Sequence, residues 1–443
     1  MRQQWRHGWW VLILAAGCAT TDQPRAADRA ENRLPDAQPA IVVARVDSPA
    51  ELPSPSDDPF AGQNELSPER LVAEAQSRNP SLAAMVAAWQ AAAQRYPQAI
   101  SLDDPMFGFM VGMPAGYMVE ASQKLPWPGK RSLRGAVAQA DADTAGFEAG
   151  DARLRLAQAA HMALVDYYLV ARQLELNAAT AKLMRDFRQT SKSQYEVGQV
   201  SQQDVLQADV ELAELESRRV GLVRDERIAV ARINTLVHRR PDAALPPPPK
   251  QLPAPAAIDS ADALQQQAIQ QRQDLAADAA RLRSAEAALA LICKDYGPDL
   301  ELVAKYDAFM PEDMRTQVGL NLNVPLRLPR RDAAVMEATA HVQQGRAALA
   351  DRMDQVRFEV QTGIDQLTAA QQVMQLYHEN ILPAVDANIQ SARANYVAGK
   401  LDFLRLLEAY HQLYQQKNMY FQATADYYRH EAELERAIGG PLR

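Results

Sequence analysis

Cysteine is almost missing from this chain. Among 443 residues only Cys18 and Cys293 occur, so a disulfide framework is excluded. Aromatic residues make up 6%, alanine and glutamine abound, and proline gathers at a few places. That composition argues against the two or three ordinary globular domains that the length alone would allow. An excess of basic charge is missing too. With a net charge of −8, a pI near 5.5 and no concentrated basic face, nucleic acid is not an expected partner. Charges of both signs mix along the chain, the pattern of solvated helical surfaces.

Enzyme signatures are lacking as well. There is no nucleophile elbow, no glycine-rich phosphate loop and no metal-ligand cluster, and the carboxylates are spread with no assembled pair. His7, His161, His238, His341, His378, His411 and His430 are scattered, and His378-Glu379 and His430-Glu431 each lack the second histidine of a zinc-protease motif. Cys293 reads as a small buried apolar residue. The expectation is a protein without enzymatic activity, cofactor or resident metal.

What the chain does have is a repeat. Tyr195 to Leu212 (YEVGQVSQQDVLQADVEL) aligns without a gap on Tyr396 to Leu413 (YVAGKLDFLRLLEAYHQL), matching at Tyr195/Tyr396, Gly198/Gly399, Leu206/Leu407, Ala208/Ala409 and Leu212/Leu413. A repeat of this size with a hairpin inside each copy implies a duplicated architecture whose halves pack side by side.

The N-terminus reads as an address. Arg2 and Arg6 precede a short apolar run, Trp9 to Ala16, and small residues lead to Cys18 in LAAGC. The run is too short for a membrane-spanning helix. Residues 1–18 resemble a bacterial lipoprotein signal in which Cys18 is lipidated, although Leu14 stands four positions before the cysteine instead of three. Ala19, by analogy with lipoprotein sorting, favours the outer membrane. A plain cleaved secretory signal is the alternative, and either way the chain is exported. Residues 19–66, rich in Pro, Ala, Asp and Ser, read as a flexible tether.

The first repeat covers 67–240. It opens on Ser67-Pro68 as N-cap and first helical residue, continues as helix over about 68–96 interrupted near Asn79-Pro80, and forms strands over about 105–125. After the corner Pro126-Trp127-Pro128-Gly129, a helix from about Arg131 to Tyr195 spans on the order of 100 Å at ~1.5 Å per residue. Gly198 breaks it, and a return helix runs from about Ser201 to His238. Residues 241–259 are a stiff proline-rich connection. The second repeat, 260–440, matches element by element: N-cap Ser260, helix over 261–295, strands over about 299–325, a long helix from Arg331 to Tyr396 kinked at Pro383, a turn at Gly399 and a last helix ending near Gly439-Gly440.

The strands decide the class. Val318, Leu320, Leu322 and Val324 alternate with Gln317, Gly319, Asn321 and Asn323. Leu300, Leu302, Ala304 and Tyr306 alternate with Glu301, Val303, Lys305 and Asp307. Phe107, Phe109 and Val111 alternate with Met106, Gly108 and Met110; Tyr117, Val119 and Ala121 alternate with Glu120, Ser122 and Lys124. One apolar and one polar face is what a membrane β-barrel with a wet interior needs. A small soluble sheet is the alternative for any one strand. Four strands cannot close a barrel, and an open edge in lipid leaves backbone groups unpaired at several kcal/mol each, so membrane strands imply oligomerisation. Three chains would supply twelve, and the long helices would associate laterally as a coiled-coil cylinder.

Over about residues 66–440 the chain resembles the TolC family of outer membrane efflux ducts. The carrying features are the duplicated helix–strand–strand–helix–helix plan and the Tyr-x-x-Gly hairpin; Leu125 to Arg131 (LPWPGKR) is similar to the corner of the CusC- and CzcC-like metal-efflux branch. The resemblance implies a mostly α fold with a small β part: duplicated helical hairpins forming a periplasmic α-barrel, and four strands per chain in a trimeric twelve-stranded outer-membrane β-barrel. It implies a homotrimer that docks a periplasmic adaptor protein and an inner-membrane pump of RND type, giving solutes, heavy-metal ions among the candidates, a passive path. A type I protein secretion duct and a non-channel coiled-coil lipoprotein spacer are the alternatives.

By the same resemblance the turns Val197, Gly198, Gln199, Val200, Ser201 and Ala398, Gly399, Lys400, Leu401, Asp402 receive the adaptor. The bland reading makes their glycines helix C-caps. Tunnel-gate candidates are Arg405 and Glu408 with Asp204 and Gln207 at the equivalent places of the first repeat; Arg405 stands where the family more often has an acid. Arg405 and Glu408 are read either as inter-subunit salt bridges or as a solvated i, i+3 pair. Met106, Met110, Met113 and Met118 crowd one strand pair. Thioethers suit Cu(I), but methionine is also a flexible apolar filler, and several of the four are expected to face lipid or a loop.

Overall fold

The computed structural model describes residues 58–112, 116–198, 200–255 and 258–442. Cys18, the signal segment and most of the expected tether lie outside them, as do Met113 and Gln199. Residues 58–66, expected as the end of the tether, are packed instead: Phe60 and Leu66 are buried, the Leu66 N–H donates to the Pro247 carbonyl at 2.9 Å, and Arg239 meets Asp58 at 2.9 Å. Two apolar anchors and a proline-rich wall are enough to fix a segment whose average composition is polar.

The first repeat begins with α1 (Pro68–Arg78), where the Ser67 hydroxyl accepts from the Arg70 N–H and Pro68 enters at a position whose N–H would be unpaired anyway. Asn79 ends α1 and caps α2 (Pro80–Ala93), accepting from the N–H groups of Ser81 and Leu82. Its amide Nδ2 also donates, at 3.0 Å, to the carbonyl of Leu236. A short α3 (Arg95–Ile100) precedes β1 (Met106–Gly112) and β2 (Gly116–Leu125). Helix α4 (Lys130–Glu196) is 67 residues long, on the order of 100 Å, and α5 (Gln202–Leu236) returns along it.

The second repeat repeats the plan with α6 (Ala261–Gln271), α7 (Gln273–Cys293), β3 (Asp299–Asp307), β4 (Thr316–Asn323), α8 (Leu328–Leu376), α9 (Leu382–Val397) and α10 (Phe403–Ile438). Ser260 caps α6 as the sequence predicts, accepting from the Ala263 N–H. The continuous helix expected over 261–295 is broken at Arg272, which is extended (φ −65°, ψ 124°). The cause is ionic. The buried guanidinium of Arg272 binds Asp274 at 2.6 and 2.9 Å, pairs with Glu359 of α8, and donates to the Ala437 carbonyl at 3.3 Å. Gly439, at φ 83°, lets the end of α10 approach this break; a Cβ there would lie 3.1 Å from the Arg272 nitrogen. Thus each return helix ends on a side chain supplied by a helix break: Asn79 on Leu236, Arg272 on Ala437. The kink expected at Pro383 is a single π turn, Tyr377–Ile381, between α8 and α9. It absorbs the hydrogen bond that proline cannot donate.

No single core holds so long a molecule. One cluster (Leu71, Leu164, Tyr167, Ile233) joins α1, α4 and α5, and its counterpart (Leu264, Val356, Leu367, Tyr427, Leu434) joins α6, α8 and α10. Asp166 of α4 accepts from Arg232 of α5 at 3.2 Å and from Arg429 of α10 at 2.7 Å, tying the two repeats. A third cluster lies at the turn end. No described helix is long and apolar enough to cross a membrane.

Candidate functional site

At one end of the long helices the four strands form one antiparallel sheet in the order β1-β2-β3-β4, so β1 and β4 are open edges. The central pair crosses the repeats: Ala121 faces Ala304, Val119 faces Tyr306, and Leu125 faces Leu300. In this register Phe107, Phe109, Val111, Tyr117, Val119, Ala121, Leu300, Leu302, Ala304, Tyr306, Val318, Leu320 and Leu322 share one face, together with Gln123 and Thr316 and with no charged residue. Among the described residues nothing covers it. Phe107 is 78% exposed and Val318 74%. The opposite face carries Glu120, Lys124, Glu301, Lys305, Gln317 and Asn321.

Met106, Met110 and Met118 lie on this second, polar face, where Met110 and Met118 stand directly opposite each other. The expectation that several of the four methionines face lipid or a loop is corrected for these three: the pleat puts them on the side of Glu120, because Phe107 and Phe109 take the apolar side. Cys293 is corrected as well. It is exposed, since it ends α7 just where the chain leaves the helix for the turn Lys294–Tyr296. Among the described residues no group of three or more His, Cys, Asp or Glu side chains converges on a metal position.

The corner between β2 and α4 fixes how the sheet joins the helices. Lys130, 4% exposed, reaches both carboxylate oxygens of Asp299 at 3.0 Å and Asp295 at 2.8 Å, and the Trp127 N–H donates to Asp299 at 2.9 Å. Burial opposes the charge on Lys130, but these two carboxylates outweigh it and hold the ammonium above its ordinary range. The LPWPGKR motif therefore serves as the socket for the second repeat's strand entry, a role that spacing alone did not reveal.

At the other end both turns close as the sequence predicts. Gly198 (φ 76°) donates to the Tyr195 carbonyl and Gly399 (φ 68°) to that of Tyr396, at 2.9 and 3.0 Å, and Lys400 completes the second cap on Asn395. Val197, Gly198, Ser201, Ala398, Gly399, Lys400 and Asp402 are exposed, while Val200 and Leu401 are half-buried. Behind them the second hairpin leans on the first. Tyr396, Phe403, Leu406, Leu407 and Tyr410 are buried against Met184, Phe187, Ala208 and Leu215, and Phe187 meets Tyr410 edge-on at 4.9 Å. The Ser191 and Tyr396 hydroxyls share a buried hydrogen bond of 2.9 Å, and His411 meets Glu211 at 2.8 Å. Burial raises the phenols of Tyr396 and Tyr410 above their ordinary range, so both stay neutral.

The gate candidates lie one turn inward. Arg405 and Glu408 are exposed, and among the described residues neither forms an ion pair, so the i, i+3 pair is not made within the chain. Asp402 caps α10 by accepting from the Arg405 N–H at 2.9 Å. Asp204 is half-buried and accepts from the Ser201 hydroxyl at 2.9 Å; Gln207 is half-buried beside it. His411 and Tyr396 were not singled out by spacing as parts of the contact between hairpins, because a lone histidine and a repeated tyrosine carry no signal of what they touch.

Long paired helical hairpins with a four-stranded, one-side-apolar sheet make up a TolC-like fold. Residues 264–440, the second repeat, match the family model described as Outer membrane efflux protein. Among solved structures the chain is similar to the outer-membrane channel OprN, at 19% identity and a TM-score of 0.73 over 87% of this chain and 95% of that one. It is also similar to the outer membrane protein VceC from Vibrio cholerae (18%, TM-score 0.71, 85% and 97%) and to CusC (15%, TM-score 0.72, 90% and 99%). A comparison with curated proteins finds no match. The resemblance to the TolC family holds on two findings: the family model fits the second repeat, and the described chain has the TolC-like fold.

Proposed function

We propose that this chain is the outer membrane duct of a tripartite efflux system. Three copies close their sheets edge to edge into a twelve-stranded barrel in the outer membrane, and their helices form a periplasmic tunnel. The observation that carries this reading is the sheet itself: a charge-free, uncovered apolar face with an unpaired edge on each side. Water would penalise the face, and lipid would penalise the edges at several kcal/mol per unpaired group. A closed barrel of several copies removes both penalties.

The duct performs no chemistry. It offers a water-filled path, while an inner-membrane pump, of RND type by family resemblance, supplies the driving force through a periplasmic adaptor. The adaptor docks at Val197 to Ser201 and Ala398 to Asp402, exposed turns of which the second is backed by the buried aromatic cluster. Arg405, Glu408, Asp204 and Gln207 line the constriction, Arg405 and Glu408 with side chains left free for a neighbouring copy. Cys18 anchors the chain to the membrane by lipid. The pump chooses the solute; heavy-metal ions remain candidates through the LPWPGKR corner. A type I secretion duct would use the same protomer.

The native mass of protein extracted from the outer membrane in mild detergent tests the reading. A stable trimer is expected. A monomer released once the lipid anchor is removed would overturn the duct and leave a tethered helical spacer.

A further inference from the structure

The polar face of the sheet carries charges of both signs, and their placement is not random. On β2 stand Glu120 and Lys124, and on β3 stand Glu301 and Lys305. The register sets Glu120 opposite Lys305 and Lys124 opposite Glu301. The next strand adds only amides in the same rows, Gln317 beside Lys305 and Asn321 beside Glu301, whose Oε2 accepts from Asn321 at 3.4 Å. Asp299, at the helical end of this face, shares the buried Lys130 with Asp295, at 3.0 and 2.8 Å. At the other end Asp307 is turned inward, buried, with its carboxylate taken by the Phe309 N–H.

Directly opposed side chains on neighbouring strands lie about 5 Å apart, whereas the Glu120 and Lys124 rows are about 14 Å apart along the strand. Each opposite-sign pair is thus tighter than the Debye length of about 8 Å, beyond which an exposed charge is screened. A solute in the middle of a wide lumen meets dipoles and not a field of one sign. Rings of one sign are what make a pore select by charge. Three copies of this face give rings in which every glutamate alternates with a lysine.

We infer that the barrel segment of this protein is charge-compensated pair by pair across β2 and β3, so that its exit admits anionic, cationic and zwitterionic solutes alike and leaves discrimination by charge to other parts of the path. Glu301 and Lys305 are the residues that set this balance. The inference rests on the duct reading, since only a closed barrel makes this face a lumen.

The test uses the full chain in the outer membrane of intact cells. Cys293 is exposed, so Cys293→Ser removes the native reactive thiol. Asn321→Cys then places a thiol on the polar face beside Glu301. Two membrane-impermeant methanethiosulfonates, one bearing trimethylammonium and one bearing sulfonate, are compared, each rate normalised to that of a free small thiol. The normalised rates are expected to agree within about twofold, and Glu301→Gln is expected to favour the sulfonate reagent by about fivefold, the effect of one uncompensated charge near 6 Å in water with partial screening. Gln317→Cys beside Lys305 gives an independent reporter, should the first variant fail to accumulate, and Lys305→Gln should move its ratio the opposite way. A tenfold preference for either reagent before the charge is removed, or no shift after it, overturns the compensation while leaving the duct intact. Failure of both reagents to reach either thiol overturns the duct itself, and the inference with it.

Discussion

Tyr195 and Tyr396 stand at the same place in the two hairpin turns, yet Tyr195 is 44% exposed and Tyr396 4%. Leu206 and Leu407 differ the same way, 56% against 3%. The motif that makes both turns is shared, so the turn cannot be the reason. The second hairpin presents its Tyr396–Leu407 face to the first, whereas the equivalent face of the first hairpin meets no third hairpin among the described residues. In a closed ring of alternating hairpins it would meet the second hairpin of the next copy, by a head-to-tail contact of the kind that closes cyclic assemblies. Duplication within the chain and assembly between chains would then reuse one packing surface. The two repeats also differ where each return helix ends, on a neutral amide in the first and on a buried ion cluster in the second.

That second contrast carries the largest expected effect. Arg272→Ala leaves Asp274 and Glu359 without their partner and should cost about 3–5 kcal/mol, read as a loss in denaturant midpoint of the detergent-solubilised protein. Asn79→Ala removes one cap and one neutral hydrogen bond and should cost about 1–2 kcal/mol. The pH dependence separates them further. Burial opposes ionisation of Asp274, but the bonds from Arg272 overcome it and hold the carboxyl below its ordinary value. A depressed native pKa means stability that is present above the unfolded-state value, about 3.9, and lost as pH falls through the native one. Asp274→Asn should flatten that acid limb, whereas Asn79→Ala should leave it in place. Equal costs for the two breaks would show that Arg272 is no more than a helix end.

The tip contrast comes next. Leu407→Ala empties a filled site and should cost about 2–4 kcal/mol under any condition. Leu206→Ala should be nearly neutral in separated protomers and comparably costly in the assembled form, so the two variants are compared on both sides of the dissociation point. A neutral Leu206→Ala within the assembly would break the shared-surface idea.

The fold was largely readable from the residues, for local reasons. Ser67-Pro68, Ser260 and the two Tyr-x-x-Gly turns are short-range signals that act through the backbone, and the structure follows each of them. Strand alternation gave the two faces of the sheet because a pleat has a fixed period. What stayed hidden is long-range. The break at Arg272 depends on Glu359 and Ala437, far away in the chain, and no helix-breaking residue announces it. Lys130 sits in a motif visible at once, but its partner Asp299 belongs to the other repeat. The exposure of Tyr195 beside the burial of Tyr396 could not be seen either, since identical residues in aligned positions carry no record of what lies across from them. The turn residues and gate candidates were placed by resemblance, and the structure adds to them only the aromatic support behind.

The glycines should behave alike in both repeats. Gly198 and Gly399 both have positive φ, and a Cβ at either meets nothing within 4 Å. The cost of Gly198→Ala or Gly399→Ala is then purely backbone, about 1–2 kcal/mol each, and equal in a thermal unfolding comparison. A larger penalty at one of them in the assembled protein, but not in separated protomers, would mark the turn approached closely by another chain.

The smallest difference concerns the N-caps of the return helices, which stand at aligned positions with different chemistry. Asp402 accepts from the Arg405 N–H at 2.9 Å, whereas Ser201 spends its hydroxyl on Asp204 and makes no backbone cap. Removing a working cap costs typically about 1 kcal/mol. Asp402→Ala should therefore lower stability by about that amount, with an added loss of favourable charge at the positive end of α10. Ser201→Ala should cost no more than a few tenths of a kcal/mol, because an exposed hydrogen bond between two side chains is readily replaced by water. The second turn would then be the better anchored of the two, by its cap as well as by its buried aromatics, and the first the one whose return helix frays more readily. Hydrogen exchange at the first residues of α5 and α10 reads this directly: faster exchange is expected after Ser201 than after Asp402, and Asp402→Ala should bring the two to the same rate.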